Sequence, residues 1–184
     1  MSGAAFLNIR ERIMVVLRHE EPDRIPWLIY HTYLPRGSLE RELRSKGLGI
    51  VIHNAPHALV HEVEIPNVKI EERIIGNVIH TIYETPVGTV STKKRIGMDF
   101  AGGEWTIEHM IKDLSDYDVA KFIVEDTNYH PNYKHFLEVE RSLGGDGVLM
   151  ARVVPSPLQQ QLMEFLGIRR FSVDLHKYPK ELEG

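Results

Sequence analysis

The sequence predicts an α/β fold in which helical segments alternate with strands and an antiparallel meander is inserted between them. Residues 25–30 and 147–154 are apolar runs without alternation, the composition of parallel strands that are covered on both faces. Between them, residues 68–75, 78–84 and 89–96 are three β-rich runs separated by turn residues, which predicts the meander. Segments with helical spacing flank these regions, so helices are expected before and after each of them.

Composition narrows the classes of function. The chain has 184 residues, with 22 Lys+Arg against 26 Asp+Glu and a formal charge of -4. Because no block of basic residues is present, neither nucleic acid nor a membrane surface is an expected partner. Cysteine is absent, which excludes disulfides, thiolate metal ligands and a catalytic thiol in this chain. No apolar run approaches the roughly 20 residues of a membrane helix, so we expect a soluble, cytoplasmic protein.

Capping signals locate the first helices. Asn8 and Glu11 form a capping box at the start of a helix predicted over residues 9–19. Ser38 is predicted to cap a second helix that ends before Gly47. Residues 48–66 have no clear pattern.

The later helices follow from similar signals. Ser115 and Asp118 have the spacing of a capping box, which predicts a helix to about residue 125. Pro131 suits the first turn of the next helix, which is predicted to stop at glycines 144 and 145. Two further helices are expected on either side of Gly167.

Four stretches resemble the uroporphyrinogen decarboxylase superfamily, especially its methyltransferase-like branch. Their order along the chain is more specific than any one of them, and together they span nearly the whole sequence. They are the opening from Asn8 to Trp27, the run Tyr83-Glu-Thr-Pro-Val-Gly-Thr-Val-Ser-Thr92, the segment from Glu104 to Asp118, and Phe165-Leu-Gly167 followed by Asp174-Leu and Pro179-Lys-Glu.

The resemblance implies a particular form of the α/β fold. Members of the family are single (β/α)8 barrels, and a closed barrel of this kind takes roughly 250 residues. Residues 1–184 are therefore expected to form the N-terminal half of a TIM barrel as one partial domain, with the meander inserted at about 66–97. Half a barrel leaves an open parallel edge, so a missing C-terminal half or a homo-oligomer is the expected partner. A non-catalytic assembly module is the alternative from another class.

The resemblance also implies two chemistries. One branch of the family removes the acetate carboxylates of uroporphyrinogen without a cofactor. The other transfers methyl groups to or from a corrinoid protein, using zinc held by a His and two Cys in the C-terminal half. Since this chain has no Cys, it is expected to hold no cofactor alone, whereas zinc and a corrinoid are implied for the complete enzyme. A tetrapyrrole or another small molecule is the implied ligand.

One departure from the family pattern favours the methyltransferase branch. Decarboxylases carry Met-Arg-Gln-Ala-Gly-Arg just after the first strand, where this chain reads Leu28-Ile-Tyr-His-Thr-Tyr33. His31 replaces the first arginine, and a histidine is largely neutral at pH 7, unlike the fixed charge of a guanidinium. A decarboxylase of porphyrin biosynthesis remains the alternative, with Arg36 and Arg152 as carboxylate-binding groups.

Residues just past the carboxyl ends of barrel strands face the active site. This rule selects Tyr30, His31 and Tyr33 after the first predicted strand, and Arg152 and Ser156 after the second. His31 is the candidate catalytic residue, able to orient or protonate a substrate, and the others are candidate binding residues. The alternative to a functional role is that His31 is an ordinary loop histidine and that Arg152 pairs with a surface acid.

Two other patterns carry less weight. His53, His57 and His61 are spaced by four, but Pro56 interrupts the run, and three successive helical turns would spread the imidazoles over about 12 Å. No metal site is therefore predicted. Glu104, Glu108 and His109 form an acid–base cluster, but the pattern is more typical of a solvated loop near Trp105.

Overall fold

A computed structural model describes residues 6–53, 55, 58–97 and 103–183, which form a mixed α/β structure with three sheets. The helices are α1 (Ile9–Leu17), α2 (Ser38–Ser45), α3 (Asp116–Asp126), α4 (Lys134–Leu143), α5 (Pro157–Gln160), α6 (Gly167–Lys177) and α7 (Pro179–Glu183). The strands are β1 (Trp27–Tyr30), β2 (Leu48–Ile52), β3 (His61–Glu64), β4 (Lys69–Ile75), β5 (Val78–Thr85), β6 (Gly88–Ile96), β7 (Glu104–Glu108), β8 (Asn128–Pro131) and β9 (Gly147–Leu149).

The chain divides into two compact units. The first contains Met1–Glu62 and His130–Val153, and the second contains Val63–Tyr129 and Val154–Gly184. Strands β3 and β8 pair with each other in a two-stranded sheet. Within the described ranges, no helix has the length and apolar character that crossing a membrane requires.

The first unit is built on a parallel sheet with the strand order β1–β2–β9. One face of this sheet carries Leu48 and Ile50, which pack against Leu34, with Leu43 of α2 and Leu143 of α4 beside them. Burial of these apolar side chains fixes the two helices on that face. Strand β2 lies in the middle of the sheet, within residues 48–66, whose spacing of apolar residues predicts neither a helix nor a strand.

The two strands predicted from sequence are both present, but they differ from the expectation. The first is parallel as predicted, yet the expectation that both faces are covered is wrong, because Trp27 is 49% and Tyr30 is 45% exposed. The second was predicted to reach residue 154 and ends at Leu149. Its neighbour β2 ends at Ile52, and further along the described residues form an isolated parallel bridge between Leu59 and Arg152.

A capping box sets where α1 begins, and a hydrogen bond to a distant residue explains why α4 begins later than predicted. The amide of Glu11 donates to Asn8 Oδ1 at 2.9 Å and the amide of Asn8 donates to Glu11 Oε2 at 2.8 Å, so the predicted capping box is confirmed. Pro131 was predicted to begin the next helix but ends β8. The amide of Asn132 donates to the Val60 carbonyl at 2.9 Å, which holds this backbone outside α4.

A buried arginine attaches α1 to the segment before β1. The Arg12 side chain is 4% exposed, and its Nε and Nη2 atoms donate to the two carboxylate oxygens of Asp23 at 2.6 and 2.9 Å. Nη2 also donates to the Leu7 carbonyl at 2.7 Å. This forked geometry matches a guanidinium to a carboxylate and fixes both partners.

The Arg12–Asp23 pair predicts a dependence of stability on acid pH. Hydrogen bonding from Arg12 lowers the pKa of Asp23 in the folded chain. The stabilisation is therefore fully present above the ordinary aspartate pKa of about 4 and is lost as pH falls through the lowered value. We expect Asp23→Asn to reduce the free energy of unfolding at pH 7, with the difference from the native chain shrinking below pH 4.

Urea unfolding followed by tryptophan fluorescence between pH 2 and pH 7 measures this difference. Glu21→Gln is a matched control, because Glu21 is an exposed carboxylate two residues away. An Asp23→Asn variant as stable as the native chain at pH 7 would contradict the prediction.

The second unit is built on an antiparallel sheet with the order β4–β5–β6–β7. Its first three strands lie where the sequence predicts the meander, and they turn at Gly76, with a positive φ of 62°, and before Gly88. Strand β7 was not predicted as a strand. The predicted loop over residues 98–103 lies outside the described residues except for Gly103.

Helix α3 packs against this sheet through a core that includes Val90, Val119 and Phe165. The capping box predicted at Ser115 is wrong, because Ser115 has helical backbone angles and its hydroxyl donates to Asp113 Oδ1 at 2.5 Å. The Ser115 hydroxyl is thus oriented towards Asp113, on the side away from the helix, and its oxygen does not accept from an amide of the first turn. After α5, a π-helical segment at Gln161–Phe165 leads to Gly167, whose φ of 71° permits the change in direction into α6.

Candidate functional site

The carboxyl ends of β1, β2 and β9 meet at one edge of the parallel sheet. Tyr30 is the last residue of β1, His31 and His53 directly follow β1 and β2, and Met150 follows β9. Backbone hydrogen bonds continue the sheet at this edge, from His31 N to the Val51 carbonyl at 3.0 Å and from Met150 N to the Ile52 carbonyl at 2.9 Å. We call Tyr30, His31, His53 and Met150 the carboxyl-edge cluster.

An aromatic contact organises this cluster. The rings of Tyr30 and His53 have centroids 4.0 Å apart and planes inclined by 65°, which is an edge-to-face arrangement. Tyr30 remains 45% exposed, so part of its ring is open to solvent or to a ligand. Aromatic pairs of this geometry hold each other in place and contribute on the order of 0.5–1.5 kcal/mol beyond their burial.

The two histidines of the cluster each have an unsatisfied nitrogen. The Nδ1 atoms of His31 and His53 are both buried, and neither has a hydrogen-bond partner among the described residues. A buried polar atom without a partner costs free energy and is uncommon in folded proteins. These two atoms mark the carboxyl edge as the part of the first unit where the polar groups are incompletely satisfied.

Arg152 is the third basic residue near this edge, after His31 and His53, and its position is set by backbone contacts. Its amide donates to the Ala58 carbonyl at 2.7 Å, and it pairs with Leu59 in the parallel bridge. The Arg152 side chain is exposed, and it forms no ion pair with an acid in the described ranges. It is therefore accessible to an anionic ligand, as the sequence expectation requires.

The remaining predicted residues have local partners. The Tyr33 amide donates to the Tyr30 carbonyl at 2.9 Å in a tight turn, and its side chain is half-exposed. Arg36 forms a surface ion pair with Glu40 at 3.5 Å. Ser156 belongs to the second unit, where its Oγ accepts from the amide of Gln159 at 3.4 Å in a capping box at α5.

The histidine triplet is only partly described, because His57 lies outside the described residues. His53 contacts Tyr30, and His61 begins β3. Among the residues with described positions, no group of three or more His, Asp or Glu side chains is arranged to hold a metal ion.

The acid–base cluster of the second unit is held by ion pairs. Glu108 accepts from Lys93 Nζ at 2.6 Å and lies 3.4 Å from Lys112 Nζ, and the hydrogen bond from Lys93 lowers the Glu108 pKa. Glu108 is consequently a carboxylate at neutral pH rather than a proton donor. Glu104 lies 3.6 Å from Lys94.

Sequence reasoning did not select His53 as a neighbour of Tyr30. The available signal was the run Leu48-Gly-Ile-Val-Ile52 directly after Gly47, a short apolar segment that is typical of a buried strand. Had this run been assigned as a parallel strand, His53 would have followed its carboxyl end, as His31 follows β1.

Comparison of the chain with protein-family models, with curated proteins and with solved structures finds no significant match. The fold defines the class as a mixed α/β protein in which a parallel three-stranded sheet carries the candidate site. The residues at the carboxyl edge of this sheet are the candidate binding and catalytic groups of the first unit.

Proposed function

We propose that the chain is part of a cytoplasmic enzyme of the uroporphyrinogen decarboxylase superfamily and belongs to the corrinoid-dependent methyltransferase-like branch. The observation that carries the proposal is the strand order β1–β2–β9, in which three parallel strands neighbour one another in chain order. Strands of a (β/α)8 barrel follow the same rule, with helices packed on the outer face. Helices α2 and α4 pack on one face of this sheet, as the outer helices of a barrel do, while Ile9 of α1 lies against Gly49 on the other face.

The edges of the sheet support a half-barrel. Among the described residues, β1 and β9 each pair with one neighbour in this sheet, whereas every strand of a closed barrel has two. Trp27 on β1 and Met150, directly after β9, are about half-exposed. We expect the open edges to be covered by the other half of the barrel or by a second copy of the chain.

Self-association tests this part of the proposal. Size-exclusion chromatography with light scattering should give a dimer or larger species whose fraction rises with protein concentration, because paired edges remove exposed backbone groups. A stable monomer at all concentrations would contradict it. An oligomer without any ligand binding would instead favour a non-catalytic assembly module.

The carboxyl-edge cluster is the proposed contribution of this chain to the ligand site. Tyr30 offers a half-exposed aromatic ring held by His53, and such a ring gives apolar surface on which part of a macrocyclic ligand could pack. His31 is the proposed proton donor or orienting group. The described donors do not fit the zinc set that the family implies, so no step through zinc is assigned to this chain.

Ligand titration distinguishes the two branches. The chain is titrated with hydroxocobalamin and, under anaerobic conditions, with uroporphyrinogen III, and binding is followed by absorbance and calorimetry. Saturable binding of the corrinoid that Tyr30→Ala weakens is the expected result. Tyr133→Ala is the matched control, since Tyr133 is a similarly exposed tyrosine of the same unit. Absence of corrinoid binding, or equal weakening by both variants, would overturn the assignment.

A decarboxylase-type lyase of porphyrin biosynthesis is the second candidate, and one observation favours it. The exposed guanidinium of Arg152 follows β9 and is available for a carboxylate. Under this alternative, uroporphyrinogen binds and the corrinoid does not. Arg152→Ala should then weaken binding about tenfold, whereas Arg141→Ala, which removes an exposed arginine from α4, should leave binding unchanged.

A further inference from the structure

The second unit contains a pocket that the proposed barrel chemistry does not use. It has a volume of about 560 Å³ and runs along α6. A volume of this size is within the range of sites for small organic ligands. The lining includes four basic side chains and a single acid, which are His109, Arg169, Arg170, Lys177 and Asp174.

The single acid of the pocket is already neutralised. Asp174 is 3% exposed, and its Oδ2 accepts from the Tyr117 hydroxyl and from Arg170 Nε, both at 2.8 Å. Arg170 is therefore committed to Asp174 and to the backbone carbonyl of Lys112. The charges of Asp174 and Arg170 therefore compensate each other and add no net charge to the pocket.

Two cations of the pocket remain uncompensated. Arg169 and Lys177 are exposed, and neither forms an ion pair with an acid in the described part of the chain. The pocket thus carries two net positive charges before any protonation of His109. A concave surface with this charge favours an anionic ligand over a neutral one or a cation.

The spacing of these cations along α6 sets the distance that two anionic groups of one ligand would have to span. Arg169, Val173 and Lys177 are four residues apart, so they share one face of the helix with an apolar residue between two cations. At 1.5 Å per residue, the Cα atoms of Arg169 and Lys177 are about 12 Å apart. Ile168 and Tyr178 add apolar and aromatic surface to the same pocket.

We infer that this pocket binds an elongated organic anion, with a phosphate group at Arg169, an apolar middle against Val173 and a second anionic group at Lys177. A phosphate suits the Arg169 end because guanidinium groups bind phosphate oxygens in a bidentate manner. The ligand class is an organic phosphate with a second acidic group about one nanometre away. This site is independent of the carboxyl-edge cluster.

The test compares three probes by calorimetry at low ionic strength: hexane-1,6-diyl bisphosphate, hexyl phosphate and inorganic phosphate. The bisphosphate should bind most tightly, because only it reaches both cations. Arg169→Ala and Lys177→Ala should each weaken its binding about twofold to fivefold, the effect of one exposed ion pair. Lys177→Ala should leave hexyl phosphate binding unchanged if the phosphate lies at Arg169.

Lys180→Ala is the matched control, because it removes an exposed lysine that does not line this pocket. All three replaced side chains are exposed, and circular dichroism should confirm that the variants remain folded. Equal weakening by Lys180→Ala would mean that only net charge matters and would overturn the site. Absence of saturable bisphosphate binding at millimolar concentration, or equal affinity for inorganic phosphate and the bisphosphate, would also overturn it.

Discussion

Replacing Gly147 with alanine is expected to disrupt the parallel sheet of the first unit. Gly147 is buried at the start of β9 and is the register partner of Ile50 in β2. A Cβ atom at position 147 would overlap the carbonyl oxygen of Ile50 and come within 2.8 Å of its carbonyl carbon. Since these are backbone atoms of the central strand, no side-chain rotation relieves the overlap.

The expected cost is at the upper end of the range for overpacking. Extra methylene groups in a packed core typically cost 1–3 kcal/mol, and a backbone displacement adds lost pairing, so we expect about 3 kcal/mol or more. Urea unfolding followed by circular dichroism measures this change. Hydrogen exchange of the Ile52 amide would report the loss of β2–β9 pairing directly, because Ile52 faces β9, where its carbonyl accepts from the Met150 amide.

Gly145→Ala provides a matched control two residues away. A Cβ there would meet the Asn8 side chain at 3.5 Å, an ordinary van der Waals distance. Its effect should lie within about 0.5 kcal/mol of the native chain. If Gly145→Ala and Gly147→Ala had equal effects, the close approach of β9 to β2 would not be the cause.

The register that Gly147 permits also aligns the candidate site. Pairing of Ile50 with Gly147 puts Ile52 opposite Leu149, so that His53 and Met150 follow at the same edge. Ligand binding at the carboxyl-edge cluster, if the proposed function is correct, should therefore be lost in Gly147→Ala and retained in Gly145→Ala. This comparison connects a packing constraint to the proposed activity.

Elements specified by neighbouring residues could be predicted from the sequence. The capping box of Asn8 and Glu11 involves residues three apart, and the turn at Gly76 joins two strands that are adjacent in the chain. In such cases the residues that specify the element also supply its hydrogen-bond partners. The capping box at Ser115 did not form even at this range, because Ser115 has helical backbone angles and its hydroxyl is oriented towards Asp113.

Features that depend on distant partners could not be predicted in the same way. The residues of β2 form a short apolar run, which could belong to a helix or a strand until β1 and β9 pair with it. The contact of Tyr30 with His53 depends on that pairing. The sequence therefore predicted Tyr30 and His31 as site residues and missed His53, which follows the undetected strand β2.

Replacing Asp174 with alanine is expected to give the largest loss of stability in the second unit. Asp174 is nearly inaccessible, and it accepts hydrogen bonds from Tyr117 on α3 and from Arg170 on its own helix. Its removal leaves a buried phenol and a guanidinium without their acceptor. Breaking a buried pair in this way typically costs 3–5 kcal/mol, and the partial exposure of Arg170 lowers our expectation to about 2–4 kcal/mol.

Chemical unfolding of Asp174→Ala and of Asp118→Ala tests this expectation. Asp118 is an exposed carboxylate on α3, so its removal should change the free energy of unfolding by less than about 0.5 kcal/mol. The double variant Asp174→Ala, Tyr117→Phe should be less destabilised than the sum of its single changes, because the phenol is no longer left unpaired. Simple additivity would mean that the Tyr117–Asp174 hydrogen bond contributes nothing.

The dependence of stability on alkaline pH tests the contribution of the Tyr117 phenol apart from that of the Arg170–Asp174 ion pair. Burial, and then the hydrogen bond to Asp174, raise the pKa of Tyr117 in the folded chain. Since the unfolded tyrosine ionises near pH 10, the stabilisation is complete below that value and decreases as pH rises above it. The free energy of unfolding of the native chain should therefore fall relative to Tyr117→Phe between pH 9 and pH 11. A constant difference across this range would mean that Tyr117 ionises as readily in the folded chain as in the unfolded one, and the hydrogen bond to Asp174 would then not hold its proton.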